Sequence, residues 1–221
     1  MFRSTWQQST TILMSAATSY PASATREIVN SGQDREYAMV QWIAFVLGSV
    51  ILVAISWKSL QHPDSHGFYR FFAWEAILGL VIINLPEWFS HWLAWYQIVS
   101  WILLIACIVP LVFGVQSLRT KGKPNKEERP NSQLLAFERT TKLVTSGIYK
   151  FIRHPLYSSL FLLAWGIFFK APSQAGITLA LLATLFLHAT AKADEAECVQ
   201  TFGTDYQEYM KRTKMFIPYV L

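Results

Sequence analysis

Charged residues are scarce in this chain of 221 residues. Only 15% of the residues are charged, whereas 52% are hydrophobic. A soluble domain carries about 25% charged residues, so the composition argues against a soluble protein and indicates one embedded in a membrane. The net charge of +5 does not require a nucleic-acid partner, because membrane proteins concentrate Lys and Arg in their cytoplasmic loops.

Cysteine and histidine are also few. The chain has two cysteines, Cys107 and Cys198, and five scattered histidines. The two cysteines lie too far apart in the sequence for a disulfide framework or a cysteine-rich metal motif. The histidines are too dispersed for a multi-histidine iron centre. We therefore expect neither a metal nor a nucleic acid among the partners.

Apolar runs predict the membrane-spanning helices. A span needs about 20 mainly apolar residues, and two of the runs are that long and uncharged, whereas one contains Glu75 and the last two are shorter. The polar turn at 170–174 joins these last two into a helical hairpin, and Pro110 predicts a kink in the third run. The runs comprise residues 38–57, 71–86, 92–115, 156–169 and 175–191.

The distribution of Lys and Arg predicts the topology. If the N-terminus is outside, fifteen of the nineteen Lys and Arg residues lie on the cytoplasmic side, as the positive-inside rule expects. We expect a flexible tail over 1–36, three transmembrane helices over 37–118, and a cofactor-binding part over 119–221 that ends in an amphipathic cytoplasmic segment. The predicted fold is an all-α, multi-pass membrane protein with about five transmembrane helices and its active site on the cytoplasmic side.

Two charged motifs flank the predicted hairpin. Arg153 and His154 precede Pro155, and proline favours the first position of a helix. The N-terminus of a helix has free N–H groups and positive potential, so this position suits a carboxylate or a phosphate. Asp194 and Glu195 follow the last apolar run. Each motif has a simpler reading: Arg153 could reach lipid phosphates, and the acids could face water at a helix end.

The hairpin brings both motifs to the same membrane surface. Cations at a helix start beside two carboxylates match a zwitterionic amino-acid head. The aromatic faces of Tyr149, Tyr157 and Trp165 would attract a ligand cation. S-adenosylmethionine combines an amino-acid head with a cationic sulfonium, and the arrangement permits this ligand without requiring it.

The same residues carry a family resemblance. The stretch from Lys142 to Tyr157, with Gly147-Ile148-Tyr149 and Arg153-His154-Pro155-Leu156-Tyr157, resembles the isoprenylcysteine carboxyl methyltransferase and phospholipid methyltransferase superfamily. The acidic pair, Phe202-Gly203 with Tyr206 and Tyr209, and Phe216-Ile217-Pro218 follow in the same order. The resemblance covers about residues 140–221.

The resemblance implies a cofactor and roles for particular residues. It implies S-adenosyl-L-methionine as cofactor, in-line methyl transfer, and a lipophilic or lipidated substrate that enters from the surrounding membrane lipids. His154 would meet the methionyl carboxylate, Glu195 would hold the amino group, and Arg153 and Glu195 would be catalytic. The expected cofactor-binding residues are Leu143, Val144, Gly147, Tyr149, His154, Tyr157, Asp194 and Glu195.

The methyl acceptor stays open at this stage. Carboxyl methyltransferases of this kind tend to carry an arginine about one turn before the acidic pair, where this chain has Thr190 between His188 and Lys192. A carboxylate is the first guess, with a lipid amine or a thiol as alternatives. Sterol reductases that use NADPH carry a similar Arg-His-Pro-x-Tyr element and are a second reading. A non-catalytic membrane scaffold is a third.

Overall fold

The described part of the chain is helical. The computed structural model describes the backbone of residues 22–123 and 140–217 and the side chains of residues 35–123 and 140–217. Within these ranges there is no strand, and Ile152 and Lys214 form an isolated parallel bridge. The α-helices are α1 Ala22–Leu60, α2 His66–Asn84, α3 Trp95–Ala106, α4 Ile108–Lys121, α5 Pro155–Phe168, α6 Gln174–Phe202 and α7 Thr204–Arg212.

Four helical segments are long and apolar enough to cross a membrane. They are Arg35–Leu60, His66–Glu87, Trp95–Lys121 and Gln174–Phe202, and the apolar helix Pro155–Phe168 is shorter. These five segments confirm the predicted all-α, multi-pass fold. Two 3₁₀ turns, Leu85–Glu87 and Gly147–Lys150, interrupt the connections.

The N-terminal boundary differs from the expected one. Helix α1 begins at Ala22, so residues 22–36, expected within a flexible tail, are helical. The chain divides into a first compact unit, residues 1–44, and a second, residues 45–221. The described part of the first unit is the N-terminal portion of α1. The expectations for residues 1–21, 124–139 and 218–221 lie outside the described residues.

The third membrane segment is broken where its proline requires it. Helix α3 ends at Ala106 and α4 begins at Ile108, with Cys107 between them. Pro110 cannot donate a backbone hydrogen bond, and its ring collides with the carbonyl group four residues earlier, that of Ala106. The predicted kink is therefore present one turn before the proline.

Small residues bring the helices of the second unit together. The buried core joins Ala76 and Leu80 of α2, Ala164 of α5, and Ala180 and Ala183 of α6. Small side chains allow helix backbones to approach closely in membrane proteins.

Helix α3 approaches α5 at a glycine. A Cβ atom on Gly166 would lie 2.9 Å from the side chain of Leu104, and the hydroxyl of Ser100 donates to the carbonyl oxygen of Gly166 at 2.7 Å. Any larger side chain at position 166 would push the two helices apart. The hydrogen bond therefore depends on glycine.

A buried lysine fastens the hairpin turn. Lys170 lies between α5 and α6 and is fully buried. Its Nζ donates to Oε1 of Gln97 at 3.0 Å and lies 3.6 Å from the centre of the Trp101 ring. The Nε2 of Gln97 in turn donates to the carbonyl oxygens of Lys170 and Glu87, each at 3.0 Å. The amide of Gln97 thus joins the turn to the start of α3.

Substitution of this lysine tests that link. In K170M, Oε1 of Gln97 loses its donor and the Trp101 ring loses its cation. An unpaired buried acceptor costs about 1–3 kcal/mol, and a loss of about 2 kcal/mol lowers Tm by about 4–8 °C in a chain of this size. Thermal unfolding in detergent micelles measures this. The exposed Lys58 provides the control K58M, and equal Tm values for the two variants would contradict the assignment.

Candidate functional site

The two charged motifs of the sequence are in direct contact. Pro155 occupies the first turn of α5, so Arg153 and His154 precede that helix. Glu195 lies near the end of α6. Its Oε1 accepts from Nε of Arg153 at 2.8 Å and lies 2.7 Å from Nη2 of the same residue. The Arg153 and Glu195 side chains are 10% and 4% exposed, which makes this a buried ion pair.

Arg153 also binds the end of α7. Its Nη1 donates to the carbonyl oxygens of Met210 and Thr213. These groups lie at the C-terminus of a helix, where the backbone dipoles favour a positive charge. With Glu195 on one side and carbonyl groups on the other, the Arg153 guanidinium is held by the protein itself.

His154 lies between the two acids. Its Nδ1 is 3.4 Å from Oδ2 of Asp194, and its Nε2 is 3.5 Å from Oε1 of Glu195. These distances exceed those of good hydrogen bonds, and Nε2 has no hydrogen-bond partner among the described residues although it is buried. Burial lowers the pKa of His154, but the carboxylates of Asp194 and Glu195 together raise it by more than burial lowers it. The pKa of His154 therefore lies above its ordinary value.

These groups border a cavity of about 100 Å³. Asp194, Arg153 and His154 supply its polar surface, and aromatic and aliphatic side chains supply most of the rest. Small-molecule pockets are typically about 300–1,000 Å³, so the enclosed space holds only part of such a ligand. The lining residues are Leu118, Thr140, Leu143, Val144, Tyr149, Arg153, His154, Pro155, Leu156, Tyr157, Asp194, Cys198, Phe202, Tyr206 and Tyr209.

Most of the residues expected to bind the cofactor lie on this cavity. Six of the eight expected cofactor residues line it: Leu143, Val144, Tyr149, His154, Tyr157 and Asp194. Gly147 and Glu195 are not among the lining residues. Gly147 instead turns the chain, with φ 68°, a conformation that favours glycine. The functional roles of all eight residues stay predictions.

The two residues of the acidic pair, Asp194 and Glu195, make different contacts. Neighbouring residues on an α-helix point about 100° apart, and accordingly Asp194 borders the cavity whereas Glu195 pairs with Arg153. Oε2 of Glu195 also lies 3.5 Å from Nζ of Lys192. The family resemblance implied that Glu195 binds the amino group of the ligand. In the structure its carboxylate contacts Arg153 and Lys192.

A backbone strap closes the site from the other side. The backbone N–H of Arg153 donates to the carbonyl oxygen of Lys214 at 2.8 Å, and that of His154 donates to the carbonyl oxygen of Met215 at 3.1 Å. Nothing in the side-chain pattern indicates this pairing, because backbone groups make it.

Helix α7 contributes cavity residues whose role the sequence left open. Gly203 ends α6 with φ 60°, and Tyr206 and Tyr209 are buried on α7. The hydroxyl of Tyr209 donates to the carbonyl oxygen of Tyr149 at 2.6 Å. In the sequence, Phe202, Tyr206 and Tyr209 have the spacing of one apolar helix face. The direction of the chain after Gly203 could not be predicted from the sequence.

A second buried histidine, His66, pairs with Glu197 of α6, and the sequence did not predict this contact. Nδ1 of His66 lies 2.9 Å from both carboxylate oxygens of Glu197, and its backbone N–H donates to Oε1 at 3.0 Å. The pair fastens the start of α2 to the end of α6. Since His66 is 1% exposed, this contact fixes the position of the helix that carries Asp194.

Comparisons with known proteins find similarity to methyltransferases. Residues 131–205 match the family model described as phospholipid methyltransferase. A methanethiol S-methyltransferase of Pseudomonas deceptionensis is 25% identical over 82% of this chain and 60% of its own length. The human protein-S-isoprenylcysteine O-methyltransferase is 32% identical over 37% of this chain and 29% of its own length.

A sterol reductase also matches. The Delta(14)-sterol reductase of Schizosaccharomyces pombe is 30% identical over 48% of this chain but only 26% of its own length. The chain thus covers less than two thirds of each of these relatives. No solved structure matches it. The chain is thus similar, over residues 131–205, to the phospholipid methyltransferase family and to proteins named as methyltransferases, and this segment contains both Arg153 and Asp194.

Proposed function

We propose that this protein transfers a methyl group from S-adenosyl-L-methionine to a lipophilic acceptor at the membrane. The observation that carries the proposal is a set of three groups around one aromatic cavity. They are the buried Arg153 cation, Nε2 of His154, which has no hydrogen-bond partner among the described residues, and the Asp194 carboxylate, which also lies 3.4 Å from Nδ1 of His154. An anion-binding group beside a carboxylate suits the two charges of an amino-acid head.

The residues present fit this cofactor. Among the described residues, Nε2 of His154 is buried without a hydrogen-bond partner. When His154 is protonated, this N–H would donate a hydrogen bond to the methionyl carboxylate. Asp194, rather than Glu195, would hold the amino group, because the Glu195 carboxylate already binds Arg153. Leu143 and Val144 would border the adenosine.

The cofactor supplies an electrophilic methyl group on a sulfonium. The surroundings of the cavity favour this positive charge, since the faces of Tyr149 and Tyr157 present π electrons to a cation. Both side chains are buried. The chain holds the reactants in line and excludes water, which accounts for much of the rate in such transfers.

Arg153 and Glu195, expected to be catalytic, act in this proposal as positioning residues. Their mutual contact sets the distance between the start of α5 and the end of α6. Asp194 and His154 project from those two helix ends into the cavity. Because the enclosed cavity is small, binding of the whole cofactor would require some of the segments that line it to move apart.

Binding of S-adenosylhomocysteine tests the role of Asp194. D194N removes the proposed partner of the amino group while keeping the side-chain size. Hydrogen bonds to charged groups contribute about 1.5–3 kcal/mol, so the affinity should fall about tenfold to a hundredfold. Isothermal titration with protein in detergent micelles measures it, and D205N on α7 is the control.

The same titration separates the proposal from its alternative. A sterol-reductase-like enzyme would bind NADPH. Tight NADPH binding without S-adenosylhomocysteine binding would refute the methyltransferase function, and unchanged affinity in D194N would refute the assignment of Asp194.

Glu195 should affect stability more than cofactor contact. In E195Q, the Arg153 cation keeps only neutral partners, and breaking a buried ion pair costs about 3–5 kcal/mol. A loss of about 3 kcal/mol lowers Tm by about 6–12 °C. The control E208Q removes a surface carboxylate near Arg212 and should leave Tm nearly unchanged. If E195Q keeps its Tm but loses cofactor affinity, Glu195 binds the ligand directly.

The titration of His154 gives a pH dependence. Its pKa is raised in the folded protein, above about 6.5 in the unfolded chain. The stabilising contribution is therefore complete below about pH 6.5 and is lost as pH rises through the folded pKa. The Tm of the wild type should fall over this range relative to that of H154Q. The variant H62Q, which changes an exposed histidine, should follow the wild type, and parallel curves for wild type and H154Q would exclude the effect.

A further inference from the structure

A second cavity lies beside the first, between α5, α6 and the segment after α7. Its volume is about 320 Å³, and its surface is almost entirely apolar. Several of its side chains are exposed on the outside of the helices, among them Leu185 at 61%. In a membrane-spanning helix such exposed positions face lipid. The residues that matter here are Phe161, Leu181, Leu185, His188, Phe216 and Ile217.

One aromatic ring separates this groove from the proposed cofactor cavity. The centre of the Phe216 ring lies 6.3 Å from that of His154 on one side and 6.3 Å from that of His188 on the other. The hydroxyl of Ser158 donates a hydrogen bond to the backbone carbonyl oxygen of Phe216 at 2.8 Å. On α5, Tyr157 borders the first cavity and Phe161, one turn later, borders the second. The two cavities are therefore neighbours.

His188 gives the groove its chemistry. It is the sole ionisable side chain among the described residues that line the groove. Those residues include no carboxylate to pair with an ammonium group, which disfavours an amine acceptor. They include no Lys or Arg to bind an acceptor carboxylate, which is already ionised at neutral pH. A thiol, which is mostly protonated at neutral pH, instead needs a base, and a neutral imidazole can accept its proton.

We propose that this groove binds the apolar chain of a lipophilic thiol and that His188 accepts the thiol proton. The inference depends on the methyltransferase function proposed above. The proton passes to a ring nitrogen of His188 while the sulfur forms a bond to the methyl carbon. The bond from that carbon to the sulfonium breaks with its electron pair remaining on the departing sulfur. The products are a methyl thioether, S-adenosylhomocysteine and a protonated histidine that releases its proton to water.

Binding is tested without turnover by photo-crosslinking. Full-length protein in lipid nanodiscs, saturated with S-adenosylhomocysteine, is exposed to a long-chain alkyl thiol that carries a diazirine. Mass spectrometry should locate the crosslinks on Phe161, Leu185 or Ile217. L185W fills the groove and should abolish them, whereas L182W, an exposed neighbour on α6 outside the groove, should not. Crosslinks elsewhere, or crosslinks unchanged in L185W, would overturn the groove assignment.

The base is tested by the pH profile. With the long-chain thiol as acceptor, H188Q should lower kcat about a hundredfold at neutral pH, within the range of general-base catalysis, while KM for the cofactor stays unchanged. The deficit should shrink as pH rises toward the pKa of the thiol, since a growing share of the thiol then ionises without help. An unchanged kcat, a deficit that does not vary with pH, or a preference for the matched long-chain amine or carboxylate would overturn the proposal.

The two proposals fail in distinguishable ways. If S-adenosylhomocysteine does not bind at all, the methyltransferase function is wrong. If it binds with wild-type affinity to L185W and H188Q, yet the thiol neither crosslinks in the groove nor is methylated by the wild type, only the acceptor assignment is wrong.

Discussion

The arrangement of the site depends on the buried ion pair between Arg153 and Glu195. Its two members come from different helix ends, and the Arg153 guanidinium also reaches the carbonyl oxygens of Met210 and Thr213. A buried charge without partners costs several kcal/mol, so the pair is stable only while α5, α6 and α7 are all in place. The ion pair therefore makes the geometry of the cavity a property of three helices together.

This constraint explains why two adjacent acids have different surroundings. One full turn of an α-helix takes 3.6 residues, so consecutive side chains point in different directions, and these two acids lie near different ring nitrogens of His154. With Glu195 directed to Arg153, Asp194 is turned toward the cavity. One carboxylate thus joins the helices, whereas the other borders the cavity beside His154, and substitutions at the two positions should separate stability from binding.

The sequence predicts the parts of this site that depend on helix periodicity. The hairpin between Pro155 and the acidic pair follows from apolar runs and a polar turn, and it places Arg153 next to Glu195. The contacts of His66 with Glu197, and of the strap with Arg153 and His154, were not predictable. They join segments distant in the chain through backbone atoms or single side chains, and neither leaves a periodic signal. The length of α1 before residue 37 was missed for a different reason, since its polar composition resembles a tail.

The position of Phe216 links the two proposed binding sites physically. Its backbone is fixed to α5 through Ser158, whereas its ring lies between His154 and His188. A charged thiolate is poorly solvated in an apolar groove, so proton removal is favourable only close to a positive charge. The sulfonium of the cofactor would be that charge. In this proposal, deprotonation by His188 and approach to the cofactor would be coupled, because the acceptor would become reactive only where it passes the Phe216 ring toward the first cavity.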